Sequence, residues 1–137
     1  LNYFHSNFPQ LRAHSKALML EAERNGYVRS KFGRKLFVDK PFTANNYVIQ
    51  GTAADIIKIA LLRTSKYVES VGGKIRNTVH DQILFDNITE KDGEEIRSIM
   101  QDFPMPSGVP LKVDLQRSTV SWGDLVHIDD EDKIEAE

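Results

Sequence analysis

The longest regular pattern of apolar residues runs from Asn46 to about Val71 and predicts a long amphipathic helix. Its apolar positions recur at helical spacing: Ile49, Ala53, Ile56, Ile57, Ala60, Leu61 and Val68. Gly72 and Gly73 are expected to end this helix, because glycine readily adopts the backbone conformation found at helix C-termini. Near its start, the sequence GTAAD gathers small residues. This composition allows another segment to approach the helix backbone closely.

Two further helices are predicted on either side of the long one. The first precedes Gly26 and has Pro9 near its first turn. Its apolar positions, which lie among Arg, Lys and Glu residues, are Leu11, Leu18, Leu20 and Ala22. The other helix is predicted from TEKDGEEIRSIMQDF, with Thr89 as its cap and an end before Pro104 and Pro106.

Three segments show the alternation that is typical of β-structure. Residues 27–38 turn around Gly33 and end before Pro41, and the predicted hairpin has a basic outer side formed by Arg29, Lys31, Arg34 and Lys35. KIRNTV and QILFDN form a second hairpin with His80 and Asp81 between them. VPLKVDLQ is predicted as a strand with Trp122 packed at its end, and one face of the strand carries Val109, Leu111, Val113 and Leu115.

The order of these elements predicts an α+β fold, in which long helices pack on one face of an antiparallel sheet. The structured region is expected to cover residues 1–125, followed by an acidic tail at 126–137 that is disordered after Ile128. Of the 137 residues, 40% are apolar and 28% are charged, as in ordinary globular domains. The chain contains no Cys, which excludes a disulfide framework and a thiolate metal site.

Charge is unevenly distributed, although the formal net charge is only −2. Residues 1–76 carry most of the Lys and Arg, whereas the final residues are acidic. This asymmetry fits a surface that faces nucleic acid, but chance clustering of surface charge gives the same pattern. No apolar run approaches the roughly 20 residues of a membrane span. We therefore expect a cytoplasmic protein without a membrane partner, and the start at Leu1 is consistent with a piece of a longer chain.

The pair His80-Asp81 has two interpretations. A carboxylate at a hairpin tip is a hard oxygen ligand suited to Mg²⁺, which usually takes one or two protein carboxylates and completes its shell with water and phosphate oxygens. One Asp would then be half of a site. Alternatively, Asp81 is a turn residue that bonds its own backbone, which is the commoner role of Asp in turns. The dipeptide alone favours the turn.

Two other motifs also have two interpretations each on their own. Asn46 and Gln50 are four residues apart and share one face of a helix, so their amides suit the acceptors of the DNA minor groove. Alternatively they cap the helix or face solvent, and the pair on its own favours this alternative. The segment GYVRSKFGR interleaves basic and aromatic residues around a Gly, which fits either phosphate binding or the solvated face of a hairpin.

Taken together, these motifs carry a resemblance. NNYVIQGTAADIIKIAL followed by VHDQILFD resembles the C-terminal part of the palm of family A DNA polymerases, the bacterial DNA polymerase I type and its bacteriophage relatives. YFHSNFPQLRAHSKALMLEAERNGYV, at residues 3–28, resembles the segment that contains the helix following the fingers, and this helix is expected within residues 1–26. GYVRSKFGR resembles the family's GYV…GR segment, and VPLKVDLQRSTVSWGDL resembles the closing strand with its Trp. The resemblance covers about residues 3 to 125, and the two main motifs occur in the family's order.

The resemblance implies a role for each candidate residue. Asp81 corresponds to the second of two catalytic aspartates that hold two metal ions, expected to be Mg²⁺, during nucleotidyl transfer to a primer 3′ end. His80, Gln50 and Asn46 correspond to polar residues near the primer terminus and the minor groove. Arg34 corresponds to the arginine of the GR pair and is expected to face phosphate, as is Arg29.

Two positions depart from the family pattern. The family usually has Glu after the motif Asp, where this chain has Gln82, so any metal contact there is weaker or absent. The family also has an Arg four residues before Asn46, where this chain has Phe42, which cannot donate to a phosphate. The segment between Arg34 and Asn46 is shorter than the bacterial pattern, which favours a phage-like or divergent lineage.

The resemblance also shows what the sequence lacks. The strand with the first catalytic Asp and the fingers helix that grips the dNTP have no counterpart here. The chain is therefore expected to be inactive alone and to need an N-terminal polymerase portion, from the same gene or a split subunit, together with primer–template DNA and dNTP. A non-catalytic DNA-binding or scaffolding fragment with the shape of a palm is the alternative.

Overall fold

The structure, a computed structural model, describes residues 6–103, 105 and 108–128. The chain divides into two compact units, residues 1–57 and 58–137. The described elements confirm the α+β class, with long helices and small antiparallel sheets. Pro104 and Pro106, predicted to follow a helix end, and tail residues 129–137 lie outside the described residues.

Helix α1 spans Pro9–Asn25 and begins and ends as its sequence predicts. Pro9 lies in the first turn, where the N–H that proline lacks has no helical partner. Gly26 follows with φ 74° and donates its N–H to the carbonyl of Ala22 at 2.8 Å. Leu18 and Ala22 are buried. The predicted apolar face is only partly covered, since other members of it, such as Leu11, remain exposed.

The hairpin of β1 (Tyr27–Arg29) and β2 (Lys35–Phe37) has one buried and one exposed face. Val28 lies opposite Leu36, and both are buried. The neighbouring positions point the other way, because side chains alternate across a strand. The core of the first unit combines this hairpin with its helices and consists of Leu18, Ala22, Val28, Leu36, Val38, Ala44 and Val48.

Helix α2 spans Ala44–Ser70 and follows a short 3₁₀ turn at Pro41–Thr43. Its C-terminus is closed by Gly72 and Gly73, whose N–H groups donate to the carbonyls of Glu69 and Val68. Gly72 has φ 76°, the left-handed conformation predicted for a helix-ending glycine. Helical spacing therefore located this helix to within a residue or two at each end.

In the second unit, β3 (Lys74–Val79) and β4 (Gln82–Asp86) form an antiparallel hairpin with an irregularity between Ile75 and Asn77. Helix α3 (Glu90–Gln101) follows, and Thr89 caps it through a reciprocal pair of hydrogen bonds with Asp92. Among the described residues of this unit, the buried side chains are of small to moderate size and include Ala60, Thr64, Val68 and Ile96.

The predicted strand at residues 109–115 is wrong. Strand pairing begins only at β5 (Gln116–Arg117), which pairs with β6 (Val126–His127) across a 3₁₀ turn at Trp122–Asp124. Residues 109–115 keep part of the alternation in exposure, but they find no ladder partner among the described residues. The described strands form three two-stranded sheets, where one sheet was expected. Trp122 is 49% exposed.

Candidate functional site

The β3–β4 hairpin turns at His80 and Asp81, as the sequence predicts. Val79 pairs directly with Gln82, which leaves only these two residues in the turn. His80 has φ 54°, an uncommon conformation for a residue with a side chain but one that His tolerates better than most. The turn thus places the imidazole and the carboxylate side by side at the tip, and His80, Asp81 and Gln82 are all exposed.

The carboxylate of Asp81 makes no hydrogen bond and no ion pair within the described part of the chain. Other Asx residues of the hairpin behave differently. Asn77 Oδ1 accepts from the N–H of Thr78, and Asp86 Oδ1 accepts from the N–H of Asn87, each at 2.9 Å. Asn77 and Asp86 therefore accept a hydrogen bond from the N–H of the next residue, as Asx residues often do in turns. Asp81 makes no such bond within the described residues.

Asp86, the other acidic residue of this hairpin, is neutralised by Arg76. The Arg76 Nη2 and Nε atoms lie 2.6 and 3.0 Å from Asp86 Oδ2. These hydrogen bonds from Arg76 hold the pKa of the Asp86 carboxyl below its usual value. Asp81, in contrast, presents an open carboxylate to solvent.

An open carboxylate fits one ligand position of a magnesium ion, because Mg²⁺ takes only one or two protein carboxylates. Within the described residues, no three His, Cys, Asp or Glu side chains are grouped so that they could hold a metal ion. The hairpin tip is therefore suited to part of a magnesium site, and the remaining ligands would have to come from elsewhere.

Asn46 and Gln50 lie one turn apart on the first half of α2, and both are exposed. Neither side-chain amide has a hydrogen-bond partner in the parts of the chain that the structure describes. Since α2 begins at Ala44, Asn46 lies inside the helix and is not its cap. The two amides thus form an open polar stripe, able to donate and accept hydrogen bonds.

In the same unit, the tip of the β1–β2 hairpin rests on α2 at the GTAAD segment. A Cβ atom added to Gly51 would lie 2.5 Å from Leu36 Cδ1, so any larger residue there would require the leucine side chain to shift. One residue further, Thr52 Oγ1 accepts from the N–H of Lys31 at 3.1 Å and donates to the carbonyl of Val48 at 2.6 Å. The sequence predicts that another segment approaches these small residues closely, and that segment is the β1–β2 hairpin.

Arg34 joins this contact. Its Nε donates to Asp55 Oδ1 at 2.7 Å, and its Nη2 donates to the carbonyl of Gly51 at 3.1 Å. The Asp55 side chain is 9% exposed and that of Arg34 is 43% exposed. Arg34 therefore fastens the hairpin to the helix, and its predicted phosphate-facing role stays a prediction. Arg29 instead lies on the exposed face of the hairpin, where its Nη1 donates to the carbonyl of Gly33 at 2.8 Å.

The predicted site residues are thus divided between the two units. Asn46, Gln50, Arg34 and Arg29 belong to residues 1–57, whereas His80, Asp81 and Gln82 belong to residues 58–137. Asp55 was not among the predicted site residues, although it lies inside the GTAAD motif. The sequence signal that could have identified Asp55 is a lone acidic residue among small and apolar helix positions. Such a carboxylate is expected to be buried and therefore to need a cationic partner.

Comparison with known proteins decides the family. The family described as DNA polymerase family A matches residues 1–124. This chain belongs to DNA polymerase family A. The resemblance inferred from the two motifs is thereby confirmed, over nearly the range expected.

Relatives of this family A chain include bacterial and phage enzymes. It is 30% identical to the thermostable DNA polymerase I of Thermus filiformis over 83% of the chain, and 32% identical to the DNA polymerase of Mycobacterium phage D29 over 92%. The chain spans only 15% and 21% of the lengths of these two proteins.

A solved structure shows the same fold. The POL domain of Pol1 from M. smegmatis, in complex with DNA primer-template and dNTP, matches 80% of this family A chain with a TM-score of 0.67 and 26% identity. The chain covers 22% of that structure.

No helix within the described residues is both long and apolar enough to cross a bilayer.

Proposed function

We propose that this chain is the C-terminal part of the palm of a DNA polymerase and contributes one metal-binding carboxylate to nucleotidyl transfer. The observation that carries the proposal is the open carboxylate of Asp81 at a hairpin tip, in a chain of family A. The substrates are a primer–template and dNTP, and the enzyme works in the cytoplasm of a bacterium or of a phage-infected cell.

Asp81 would hold Mg²⁺ together with a carboxylate supplied by an N-terminal polymerase portion. When bound, a pair of such ions stabilises the charge on the attacking and leaving oxygens of an in-line phosphoryl transfer. The role of Asp81 requires an exposed carboxylate that is not already engaged, and at the tip Asp81 is exposed and has no partner in the part of the chain that the structure describes. Gln82 adds no charge beside it.

The remaining polar residues would bind and orient DNA. Asn46 and Gln50 offer amides that have no partner among the described residues, which suits hydrogen bonding to minor-groove acceptors that are shared by A·T and T·A pairs. His80 lies next to Asp81 and would contact the primer terminus. Arg29 supplies positive charge for the sugar–phosphate backbone. Such contacts hold DNA in place without reading its sequence.

The first test uses the chain alone with Mn²⁺ as a paramagnetic substitute for Mg²⁺. Broadening of the NMR signals of residues 79–82 at low Mn²⁺, lost in Asp81→Asn, would support metal binding at the tip. Asp39→Asn is the matched control, because Asp39 is also an exposed carboxylate without a partner in the described residues. Equal broadening in wild type and Asp81→Asn would refute the site.

The second test measures primer extension by the chain assembled with an N-terminal polymerase portion. Asp81→Asn should lower the rate by about 100-fold or more, the usual cost of losing one group that stabilises transition-state charge. Asp39→Asn should leave the rate unchanged. Mass spectrometry of proteins that co-purify with the native chain would identify the missing portion.

A non-catalytic DNA-binding palm is the second candidate, and Gln82 and Phe42 are the observations that favour it. Each replaces a charged residue of the family pattern with a neutral one, which lowers the charge available to metal and phosphate. Primer–template binding that persists in an assembly with no extension at any Mg²⁺ concentration would select this function over catalysis.

A further inference from the structure

The exposed face of the β1–β2 hairpin combines two aromatic rings with two cations. Tyr27 lies directly opposite Phe37, and Arg29 lies directly opposite Lys35. All four side chains point away from the buried pair of Val28 and Leu36, because strand side chains alternate. We refer to Tyr27, Arg29, Lys35 and Phe37 as the hairpin platform.

The two cations of the platform have no acidic partner among the described residues. Neither Arg29 nor Lys35 forms an ion pair within residues 6–103, 105 and 108–128, whereas the neighbouring Arg34 is paired with Asp55. Like charges directly opposite each other on a hairpin are destabilising. Both instead lie over the Tyr27 ring, with Arg29 Cζ at 5.6 Å and Lys35 Nζ at 4.6 Å from its centroid. An anionic ligand would relieve this repulsion.

The aromatic part of the platform restricts the kind of anion. Phe37 is 72% exposed, and its ring meets Tyr27 at 6.1 Å with an interplanar angle of 68°. Both cations lie over the Tyr27 ring, so the Phe37 ring is the one that remains accessible from solvent. An unstacked nucleobase covers such a ring, and its flanking phosphates reach neighbouring cations. Duplex DNA offers the phosphates, but its bases are already stacked.

We propose that the hairpin platform binds single-stranded DNA, with a base stacked on Phe37 and phosphates on Arg29 and Lys35. The proposal rests on the proposed function only for the choice of DNA, since a polymerase template has a single-stranded part. It adds Phe37, Lys35 and Tyr27 to the residues that contact nucleic acid. It also assigns a phosphate of the single strand as the ligand of Arg29.

The test is fluorescence anisotropy of a labelled oligothymidylate titrated with the full chain, beside an abasic strand of the same length. Wild type should prefer the strand that carries bases. Phe37→Ala should weaken oligothymidylate binding by about five- to 100-fold, the range found when a stacking aromatic is removed. It should leave binding of the abasic strand nearly unchanged. Phe37→Trp should retain the preference and Phe37→Leu should lose it, although both variants keep an apolar side chain.

Two controls separate stacking from charge and from misfolding. Phe42→Ala removes a phenylalanine that is 74% exposed but lies outside the platform, and it should leave binding unchanged. The double variant Arg29→Gln/Lys35→Gln should reduce the slope of log affinity against log salt by about 1.4, since single strands lose about 0.7 per phosphate contact. Lys66→Gln, on α2, should not change this slope.

The outcome distinguishes this proposal from the polymerase assignment. Single-strand binding that depends on Phe37 and survives Asp81→Asn would support the platform even if primer extension failed. Equal binding of the two strands, or equal binding by wild type and Phe37→Leu, would overturn stacking. Binding of polyglutamate that is as strong as that of oligothymidylate would identify the platform as a general anion surface and overturn the proposal.

Discussion

Arg34 and Asp55 form an ion pair in which Nε and Oδ1 are 2.7 Å apart, and the carboxylate belongs to the most buried acidic side chain of α2. A second donor of the same guanidinium reaches the carbonyl of Gly51 at 3.1 Å. The planar guanidinium presents its donors in a fixed fork, and two of them serve both acceptors at once. The pair therefore fixes the hairpin on the helix that also carries Asn46 and Gln50.

Replacing Arg34 with Ala should lower the free energy of unfolding by up to about 3 kcal/mol, since hydrogen bonds to charged groups contribute about 1.5–3 kcal/mol. The cost stays below that of a fully buried pair because solvent reaches 43% of the Arg34 side chain. Urea denaturation measures it. Arg12→Ala, an exposed position on α1, should change stability by no more than about 0.5 kcal/mol. Equal effects of the two substitutions would show that the pair contributes nothing.

Gly51→Ala tests the close approach of hairpin and helix. In an open helix this change should stabilise, because Ala is favoured over Gly by about 0.5–1 kcal/mol. Here the new methyl would overlap Leu36, which is buried, so we expect a net loss of about 1–2 kcal/mol by overpacking. Thermal unfolding gives the sign. The double variant Gly51→Ala/Leu36→Val should recover much of the loss, and a stabilising single variant would contradict the observed packing.

How far the sequence predicts this molecule depends on the range of the interactions. Helix α2 and its end at Gly72 are local features, set by apolar spacing and by one glycine. The capping box of Thr89 and Asp92 is local as well. The prediction of a strand at residues 109–115 was wrong because alternation reports only the side-chain pattern, whereas a strand also needs a partner backbone.

The same limit applies to the candidate site. Asp81 was located at the hairpin tip by its position between two short apolar runs, and only the structure shows that its carboxylate is open. The partner of Arg34 is 21 residues away along the chain, and no spacing rule connects them. A solvated or phosphate-facing role was therefore the natural inference for Arg34 before its docking on Asp55 was known.

Asp92 links pH to stability in the second unit. Hydrogen bonds from Thr89 and then Tyr67 hold the pKa of its carboxyl below the usual value. A lowered folded-state pKa contributes stability above the unfolded-state value, and this contribution disappears as pH falls through the folded-state pKa. Asp92→Asn should therefore lower Tm at neutral pH, and the difference from wild type should shrink below pH ~4.

The melting curves of wild type and Asp92→Asn across this acid range provide the check. Asp114→Asn, at an exposed carboxylate near the surface lysine Lys112, is the control and should leave the pH profile nearly unchanged. A constant Tm difference between wild type and Asp92→Asn from neutral to acid pH would mean that the charge of Asp92 does not matter. Only its geometry as a cap would then count.

Gln50→Ala separates a DNA contact from a structural role. The Gln50 side chain is exposed and has no hydrogen bond in the described residues, so the free energy of unfolding should change by less than about 0.5 kcal/mol. In the assembled polymerase we expect weaker primer–template binding and more misincorporation. Single-nucleotide insertion of right and wrong dNTPs measures both effects, with Lys66→Ala as a surface control on the same helix. Unaltered affinity and fidelity would remove Gln50 from the site.

Gln82→Glu tests whether the hairpin tip works with a metal ion. The new carboxylate would stand next to Asp81, and one more negative charge within a few ångströms should strengthen divalent-cation binding by about three- to tenfold. We expect primer extension by the assembled polymerase to reach half its maximal rate at a correspondingly lower Mg²⁺ concentration. The control Gln10→Glu adds the same charge on α1, at an exposed position, and should leave the Mg²⁺ dependence unchanged. If both variants behave like wild type in extension and in Mn²⁺ broadening at residues 79–82, then the tip does not bind the ion.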